Sequence, residues 1–245
     1  MTVLSVNVNK IALLRNSRGR DFPNVVDFAG QVIDMGVKGI TVHPRPDQRH
    51  ITRQDIFDLS DFLKSKEDVE FNIEGYPSND FVELVLEVMP AQCTLVPDQP
   101  GQLTSDHGWN VSNNETFLDS VLSRLSNAGV RSSLFMDADA SSLEKVKEIG
   151  ADRVELYTEK FASDFGASEQ EETFEQYLIA AARAVELGIG LNAGHDLDLR
   201  NLPKFLTIPG ILEVSIGHAL VVESLQQGIE PVIKKYLDIC AGAAF

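Results

Sequence analysis

Gly39-Ile40-Thr41-Val42-His43-Pro44-Arg45-Pro46-Asp47-Gln48-Arg49-His50-Ile51 is the stretch from which the fold is read. Ile40, Thr41 and Val42 are β-branched and favour a strand. Pro44 and Pro46 then end it, because proline cannot donate to a ladder. Thr52-Arg53-Gln54-Asp55 follows with the pattern of a capping box, so a helix begins there. Strand, polar turn, helix is how an α/β protein builds a site. The turn holds His43, Arg45, Arg49 and His50, two imidazoles and two guanidinium groups delivered by one strand end. A solvated basic loop is the plain alternative, and in a chain this acidic it is the weaker one.

The same unit recurs on both sides of this stretch. Residues 4–9 alternate as a strand and lead into a polar, basic loop through Lys10, Arg15, Asn16, Arg18 and Gly19. A helix over 24–35 is stopped by Gly36. Beyond the helix at 52–64, strands are predicted at 70–75, 92–97, 131–136, 153–158, 190–195 and 213–218. Helices separate them. One runs from Ser78 to just before Pro90, and one is capped by Ser112-Asn113-Asn114-Glu115 and ended by Gly129. A short one is capped at Ser141, and a long one is opened by Ser168-Glu169-Gln170-Glu171 and reaches Leu187. Another spans 199–206, and the last spans 219–241 with a break near Gly228 and Pro231. A long loop at 98–112 carries Thr104, His107 and Trp109, and a loop with Gly166 follows the sixth strand. Eight strands alternating with eight helices predict an α/β protein, a (β/α)8 TIM barrel forming a single domain over 1–245. An open doubly wound sheet would want a glycine-rich turn after its first strand, and residues 6–10 contain no glycine. Gly188-Ile189-Gly190-Leu191-Asn192-Ala193 fits that fingerprint in letters but precedes its strand and opens no helix.

Composition narrows the function. The 245 residues carry 37 acidic against 21 basic side chains, a net charge of −16, which argues against nucleic acid or an anionic membrane surface as partner. Small anionic substrates stay open, since local basic clusters act inside an acidic whole. Hydrophobic content of 43% suffices for a sizeable core, and no apolar run approaches a membrane span. Met1-Thr2-Val3 leads into a strand with no basic segment, so no signal peptide is expected. Cys93 and Cys240 offer neither metal spacing nor a disulfide framework, and a reducing cytoplasm is expected.

In a barrel, catalytic groups sit at the carboxyl ends of the strands. Those ends offer Asn7, Asn9 and Lys10; His43, Arg45 and His50; Glu74; Thr104; Asp137 and Asp139; Glu155; His195; and Gly217 with His218. His43, Glu74 and His195 can move protons near neutral pH if burial lifts the carboxylate. For Glu74 the bland alternative is a buried carboxylate paired with Arg45. Arg18, Arg45 and His50 can grip phosphate. Gly217-His218 at the start of the last helix offers bare backbone amides and a helix dipole for a second anion. Two anion sites with proton carriers between them imply two phosphorylated substrates or one bisphosphate. Asp137 and Asp139 read better as caps for the helix at Ser141. Glu155 pairing with Arg153 or Lys10 is as good a reading as catalysis, and His107 reads as a loop surface residue. Lys10 has a Schiff-base reading, though an electrostatic role beside substrate fits better. No H-x-H or H-E-x-x-H spacing exists, so no metal is expected.

Val6-Asn7-Val8-Asn9-Lys10-Ile11-Ala12-Leu13-Leu14-Arg15-Asn16-Ser17-Arg18-Gly19 opens an ordered series of motifs. Gly39-Ile40-Thr41-Val42-His43 with Arg45 and Arg49-His50-Ile51-Thr52 comes next, then Asn72-Ile73-Glu74 and Leu95-Val96-Pro97. Asn192-Ala193-Gly194-His195 and Ile216-Gly217-His218-Ala219 close it. Taken in order and nearly end to end, the series resembles the pyridoxine 5′-phosphate synthase family. The resemblance implies a (β/α)8 barrel, assembled as a homo-octamer and working without a cofactor. It implies condensation of 1-deoxy-D-xylulose 5-phosphate with 3-amino-2-oxopropyl phosphate, giving pyridoxine 5′-phosphate, phosphate and water. It further implies that His43 and Glu74 accept protons, that His195 donates one and that Glu155 stabilises a charged transition state. Asn7, Arg18, Gly217 and His218 would hold the aminoketone phosphate; Arg45, His50 and Thr104 would hold the sugar phosphate. Many members have Asp-His where Asn9-Lys10 stands, a pair expected to touch the sugar phosphate; Lys10 keeps a donor there. Others have Leu-Arg-Glu where Pro44-Arg45-Pro46 stands. Asp196 replaces the glycine that follows the seventh-strand histidine and brings a negative charge near the aminoketone phosphate.

Overall fold

Each strand of this chain carries apolar side chains at one parity and polar ones at the other, and the computed structural model, which describes residues 1–98, 101–102 and 104–242, turns that alternation into a barrel. The strands are β1 (Val3–Asn7), β2 (Gly39–Val42), β3 (Glu70–Gly75), β4 (Gln92–Leu95), β5 (Arg131–Met136), β6 (Arg153–Tyr157), β7 (Gly190–Gly194) and β8 (Ile211–Ile216). All pair in parallel in sequence order, and β1 pairs with β8 to close the ring. The predicted (β/α)8 barrel is therefore what the chain forms.

The helices between strands bury the apolar parity. They are α1 (Asn9–Asn16), α2 (Val25–Asp34), α3 (Arg53–Leu63), α4 (Asn79–Val88), α5 (Val111–Ala128) and α6 (Leu143–Glu148). The second half adds α7 (Glu159–Asp164), α8 (Gln170–Leu187), α9 (Leu202–Phe205), α10 (His218–Gln227) and α11 (Ile229–Cys240). Val6, Ile40, Ile73, Leu95, Leu134, Leu156 and Val214 face outward and are buried against residues such as Ile56, Leu118 and Tyr236. The capping box expected at Thr52 forms: its side chain accepts from Asp55 N–H, and Asp55 accepts from the Thr52 backbone. Asp55 also receives the buried Arg15 guanidinium, which fastens α1 to α3.

The other parity fills the barrel, and it is polar. Ser5, Thr41, Asn72 and Thr94 form a hydrogen-bonded belt at mid-height: Ser5 Oγ lies 2.7 Å from Thr41 Oγ1, and Thr94 Oγ1 donates to Asn72 Oδ1 over 3.1 Å. Beneath it, at the amino ends of the strands, Arg131 pairs with Glu70, and Arg153 Nη1 approaches Glu213 Oε2 at 3.6 Å and donates to Asn192. Barrels are commonly filled by branched aliphatic residues. This one instead stacks hydrogen-bonding side chains from floor to rim.

Several boundaries differ from the sequence reading. The basic loop after β1 is a helix, α1, because Ile11, Ala12 and Arg15 share a buried face. The helix predicted from Ser112 starts two residues earlier, with Asn110 as cap accepting from Asn113 N–H. The expected cap at Ser168 is not used; α8 begins at Gln170 without a side-chain cap. The loop before it contains α7, whose Phe161 is fully buried. The 199–206 helix shrinks to α9, and β8 begins at Ile211. The last helix breaks at Gly228, as expected. Residues 99, 100 and 103 of the predicted long loop lie outside the described residues. Among the described residues, no helix is long and apolar enough to cross a membrane.

Candidate active site

The carboxyl ends of the strands surround one cavity of about 590 Å³. It gathers every residue predicted for the site except Arg18, which lies exposed in the turn after α1. His43, Glu74, Glu155 and His195 come from β2, β3, β6 and β7, so side chains 152 positions apart in sequence share one wall.

Glu74 points inward at the end of β3, and its Oε2 lies 3.8 Å from His43 Nδ1. Burial, with the negative charges of Glu213 and Asp98, pushes the Glu74 carboxyl up to about 8; Arg45 and the Ser215 hydroxyl only partly offset this. Burial, reinforced by the cations Arg45 and Arg49 and by His50, holds the His43 imidazole well below its usual range. At neutral pH the pair is thus a carboxylic acid beside a neutral imidazole, not an ion pair. Glu155, three strands further round the barrel, is lifted well above the carboxylate range by burial and by Glu74 and Glu213. Its Oε2 is buried without a hydrogen-bond partner. It pairs with neither Arg153 nor Lys10, since Arg153 turns down to Glu213 and Asn192. Gly194 makes room for it: a Cβ there would sit 2.2 Å from Glu155 Oε1.

The anion-binding side has its own logic. Arg45 is buried and paired to Asp98 Oδ2 at 2.7 Å, so the alternative of a Glu74–Arg45 ion pair is not what forms. Asp98 also accepts from Ser105, which ties the guanidinium to the loop after β4. His50 accepts from the Ile51 N–H through Nδ1, and burial with nearby Arg45, Arg49 and Lys10 lowers it to about 4. Its ring is therefore neutral with Nε2 left as an N–H donor, not a cation. Asn9 spends its side-chain oxygen on the His43 backbone N–H, at 2.9 Å, and so braces the β2 exit. Lys10 lines the cavity from the first turn of α1. Gly217 and His218 open α10 on the neighbouring strand exit, beside β1, where the first amides of the helix lack intrahelical acceptors. A Cβ on Gly217 would lie 3.0 Å from Asn7, so a larger residue would have to push Asn7 back for this turn to close on β1.

Seven residues from Asp98, Ser105 is buried, and Thr104 beside it places Oγ1 2.9 Å from His195 Nε2. His195 Nδ1 contacts Asp196 Oδ2 at 2.6 Å, and the Tyr157 and His195 rings pack nearly perpendicular with centroids 5.0 Å apart. His195 and Asp196 have φ of 85° and 58°. Left-handed backbone at two successive non-glycine residues costs roughly 1–2 kcal/mol each.

Sequence reasoning placed Asp137 and Asp139 as caps. Asp139 does cap, accepting from Ser141 N–H at 2.9 Å, while Asp137 accepts from Gly108 N–H instead. His107 is exposed beside Asp106, as expected. The residues it missed are Asp98, Ser215 and Tyr157. Each sits at or just after a strand end, and Asp98 directly follows the Val96-Pro97 strand exit, which was the available signal. Trp109 is structural: its Nε1 donates to Leu95 O, and its ring stacks near Tyr76. A second cavity, about 380 Å³, lies behind the Arg45–Asp98 pair, with Tyr76, Phe81 and Leu84 in its wall.

Comparison with known proteins gives a consistent result. Residues 4–242 match the family model described as pyridoxal phosphate biosynthesis protein PdxJ. The pyridoxine 5′-phosphate synthase of Bacteroides thetaiotaomicron is 52% identical over 237 residues, covering 96% of this chain and 98% of that protein. That of Leptospira biflexa is 47% identical over 252 residues, covering 98% and 97%. Among solved structures, one from Aquifex aeolicus superposes with a TM-score of 0.66 at 15% identity, covering 100% of this chain and 94% of that one. A phosphoribosylanthranilate isomerase from Thermotoga maritima gives 0.62 at 10% identity, covering 99% and 100%. These structural likenesses speak for the barrel alone.

Proposed function

From the premise that this chain belongs to the PdxJ family of pyridoxal phosphate biosynthesis proteins, we propose that it is a pyridoxine 5′-phosphate synthase. It joins 3-amino-2-oxopropyl phosphate to 1-deoxy-D-xylulose 5-phosphate, releasing pyridoxine 5′-phosphate, phosphate and water. The observation that carries this reading is the convergence of His43, Glu74, Glu155 and His195 on one cavity that also holds donors suited to anions on two sides.

The amine of one substrate attacks the ketone of the other and loses water to an imine. Glu74 and His43 move protons through enamine formation, loss of a sugar hydroxyl as a second water, and loss of the sugar's phosphate. With its carboxyl near 8, Glu74 is ionised in about one molecule in ten at pH 7, and in that form it is a stronger base than an ordinary carboxylate. Water then adds, the ring closes, and a final dehydration with proton loss makes it aromatic. His195 supplies a proton to a departing oxygen. Glu155, desolvated beside Glu74, ionises in answer to positive charge developing in the substrate. Gly217, His218 and Asn7 face the aminoketone phosphate, while Arg18, exposed outside the cavity, falls out of that set; Arg45, His50 and Thr104 face the sugar phosphate, with Lys10 adding charge. Holding both phosphates fixes the reacting carbons against each other, which is the largest service such a site offers.

Incubating the protein with both substrates and following pyridoxine 5′-phosphate absorbance and released phosphate tests this. Equal amounts of both products are expected. Substrate binding without product would leave a metabolite-binding barrel, and a borohydride-trapped adduct at Lys10 would point to aldol chemistry instead. The proposal extends to a homo-octamer in the cytoplasm. Exposed Phe22 and Leu225 support association, and light scattering reads the assembly.

A further inference from the structure

His195 and Asp196 are consecutive, and consecutive side chains on regular backbone point apart. Here they face each other. The left-handed turn at φ 85° and 58° swings both to one side, and Asp196 Oδ2 reaches within 2.6 Å of His195 Nδ1. The turn is held from outside. Thr158, fully buried at the end of β6, donates from N to Gly194 O over 3.1 Å and from Oγ1 to the carbonyls of Gly194 and His195. Buried Asn201 donates to Asp196 O over 3.1 Å. Strained backbone persists where its surroundings over-determine it in this way.

Resting on the reading of His195 as proton donor, we infer that Asp196 is the positioning residue for that imidazole. Its carboxylate accepts the Nδ1 proton, fixes the tautomer and leaves Nε2 as the atom that exchanges protons with substrate. Nε2 faces the cavity, next to Thr104 Oγ1. In the step itself the Nε2–H bond of the imidazolium breaks and an O–H bond forms on a leaving substrate oxygen. The electron pair stays on Nε2, and the neutral ring keeps its other proton on Nδ1, where Asp196 receives it. The carboxylate stays ionised throughout: the hydrogen bond from His195, and the charges of His195 and His218, hold Asp196 below the usual range. The other groups around the ring are Tyr157 at its edge and Glu155 beneath Gly194, and neither contacts Nδ1. Asp196 thus serves the histidine and is not primarily a phosphate contact.

The test pairs a spectroscopic readout with kinetics, on the full-length protein. With ¹⁵N-labelled histidine, and His195→Gln to assign the signals, His195 in the parent protein should show the Nδ1–H tautomer when neutral. Asp196→Asn presents an amide N–H to Nδ1 and should shift the ring to the Nε2–H form. Its kcat should fall about tenfold to a hundredfold, with KM for both substrates within about threefold. Asp196→Gly, which suits the left-handed turn, should lose the tautomer preference and the rate without loss of folding. An unchanged tautomer and kcat in both variants would overturn the assignment. A tautomer that responds as described in a protein that makes no pyridoxine 5′-phosphate would keep the dyad and sink the reaction instead.

Discussion

The floor and the rim of this barrel hold the same kinds of side chain and treat them oppositely. At the floor, Glu70 is paired with Arg131, whose hydrogen bond holds it below the carboxylate range, and Glu213 faces Arg153. At the rim, Glu74 and Glu155 face no Lys or Arg at ion-pair distance among the described residues, and burial lifts both. Glu213 is intermediate: burial pushes it to about 7 even though Arg153 pulls the other way. A buried charge without a partner is costly. Such groups persist where their raised proton affinity is useful, so the uncompensated end is the one proposed for the chemistry and the compensated end for the scaffold.

Glu74→Gln breaks the comparison most severely. It removes the proposed proton acceptor while keeping shape, so kcat should fall about 10²–10⁴-fold with both phosphates still bound, read by steady-state kinetics and calorimetry. Arg153→Met attacks the other end. It strips Glu213 of its cation and Asn192 of its donor, and denaturant titration should show a loss of about 2–4 kcal/mol. The kcat of the folded fraction should hold.

Stability against pH separates the two ends by sign. A carboxyl raised by folding stabilises the native state below its unfolded pKa, near 4.5, and that contribution is lost as pH rises toward its folded value. For Glu74 the window runs from 4.5 to about 8. Glu74→Gln and Glu155→Gln should therefore match the parent near pH 4 and exceed it by roughly 1–3 kcal/mol at pH 8. Glu70 behaves the other way: its folded pKa is depressed, so its contribution is present above the unfolded value and lost as pH falls. Its side chain is 46% exposed, so screening limits Glu70→Gln to a loss of about 0.3–1 kcal/mol at pH 7 that disappears in acid. Thermal melts across roughly pH 2–8 read all three.

The barrel is legible in sequence because β-branched runs, capping residues and glycine stops alternate along the whole chain, and each marks its element locally. Thr52-Arg53-Gln54-Asp55 announces α3 without any knowledge of the fold. The gathering of rim residues is legible one step later, since the barrel itself dictates that strand exits meet. What the letters do not carry is pairwise choice. Arg45 takes Asp98 and not Glu74, and Arg153 takes Glu213 and not Glu155, because inward parity and strand register decide who is level with whom. The polar filling is the same kind of fact: Ser5, Thr41, Asn72 and Thr94 look unremarkable singly and become a belt only in register. The α1 and α7 helices escape notice because each is short and its polar face dominates the count.

The pH dependence of kcat/KM for pyridoxine 5′-phosphate formation, in the parent protein and in Glu74→Gln, probes the uncompensated rim most directly. The profile should rise through an apparent pKa near 8 that belongs to the Glu74–Glu155 cluster as a unit, and the variant should lose that rise together with its rate. A profile flat from pH 6 to 9, or a Glu74→Gln variant that keeps the parent's activity and its pH limb, would contradict the assignment of chemistry to the unpaired carboxylates.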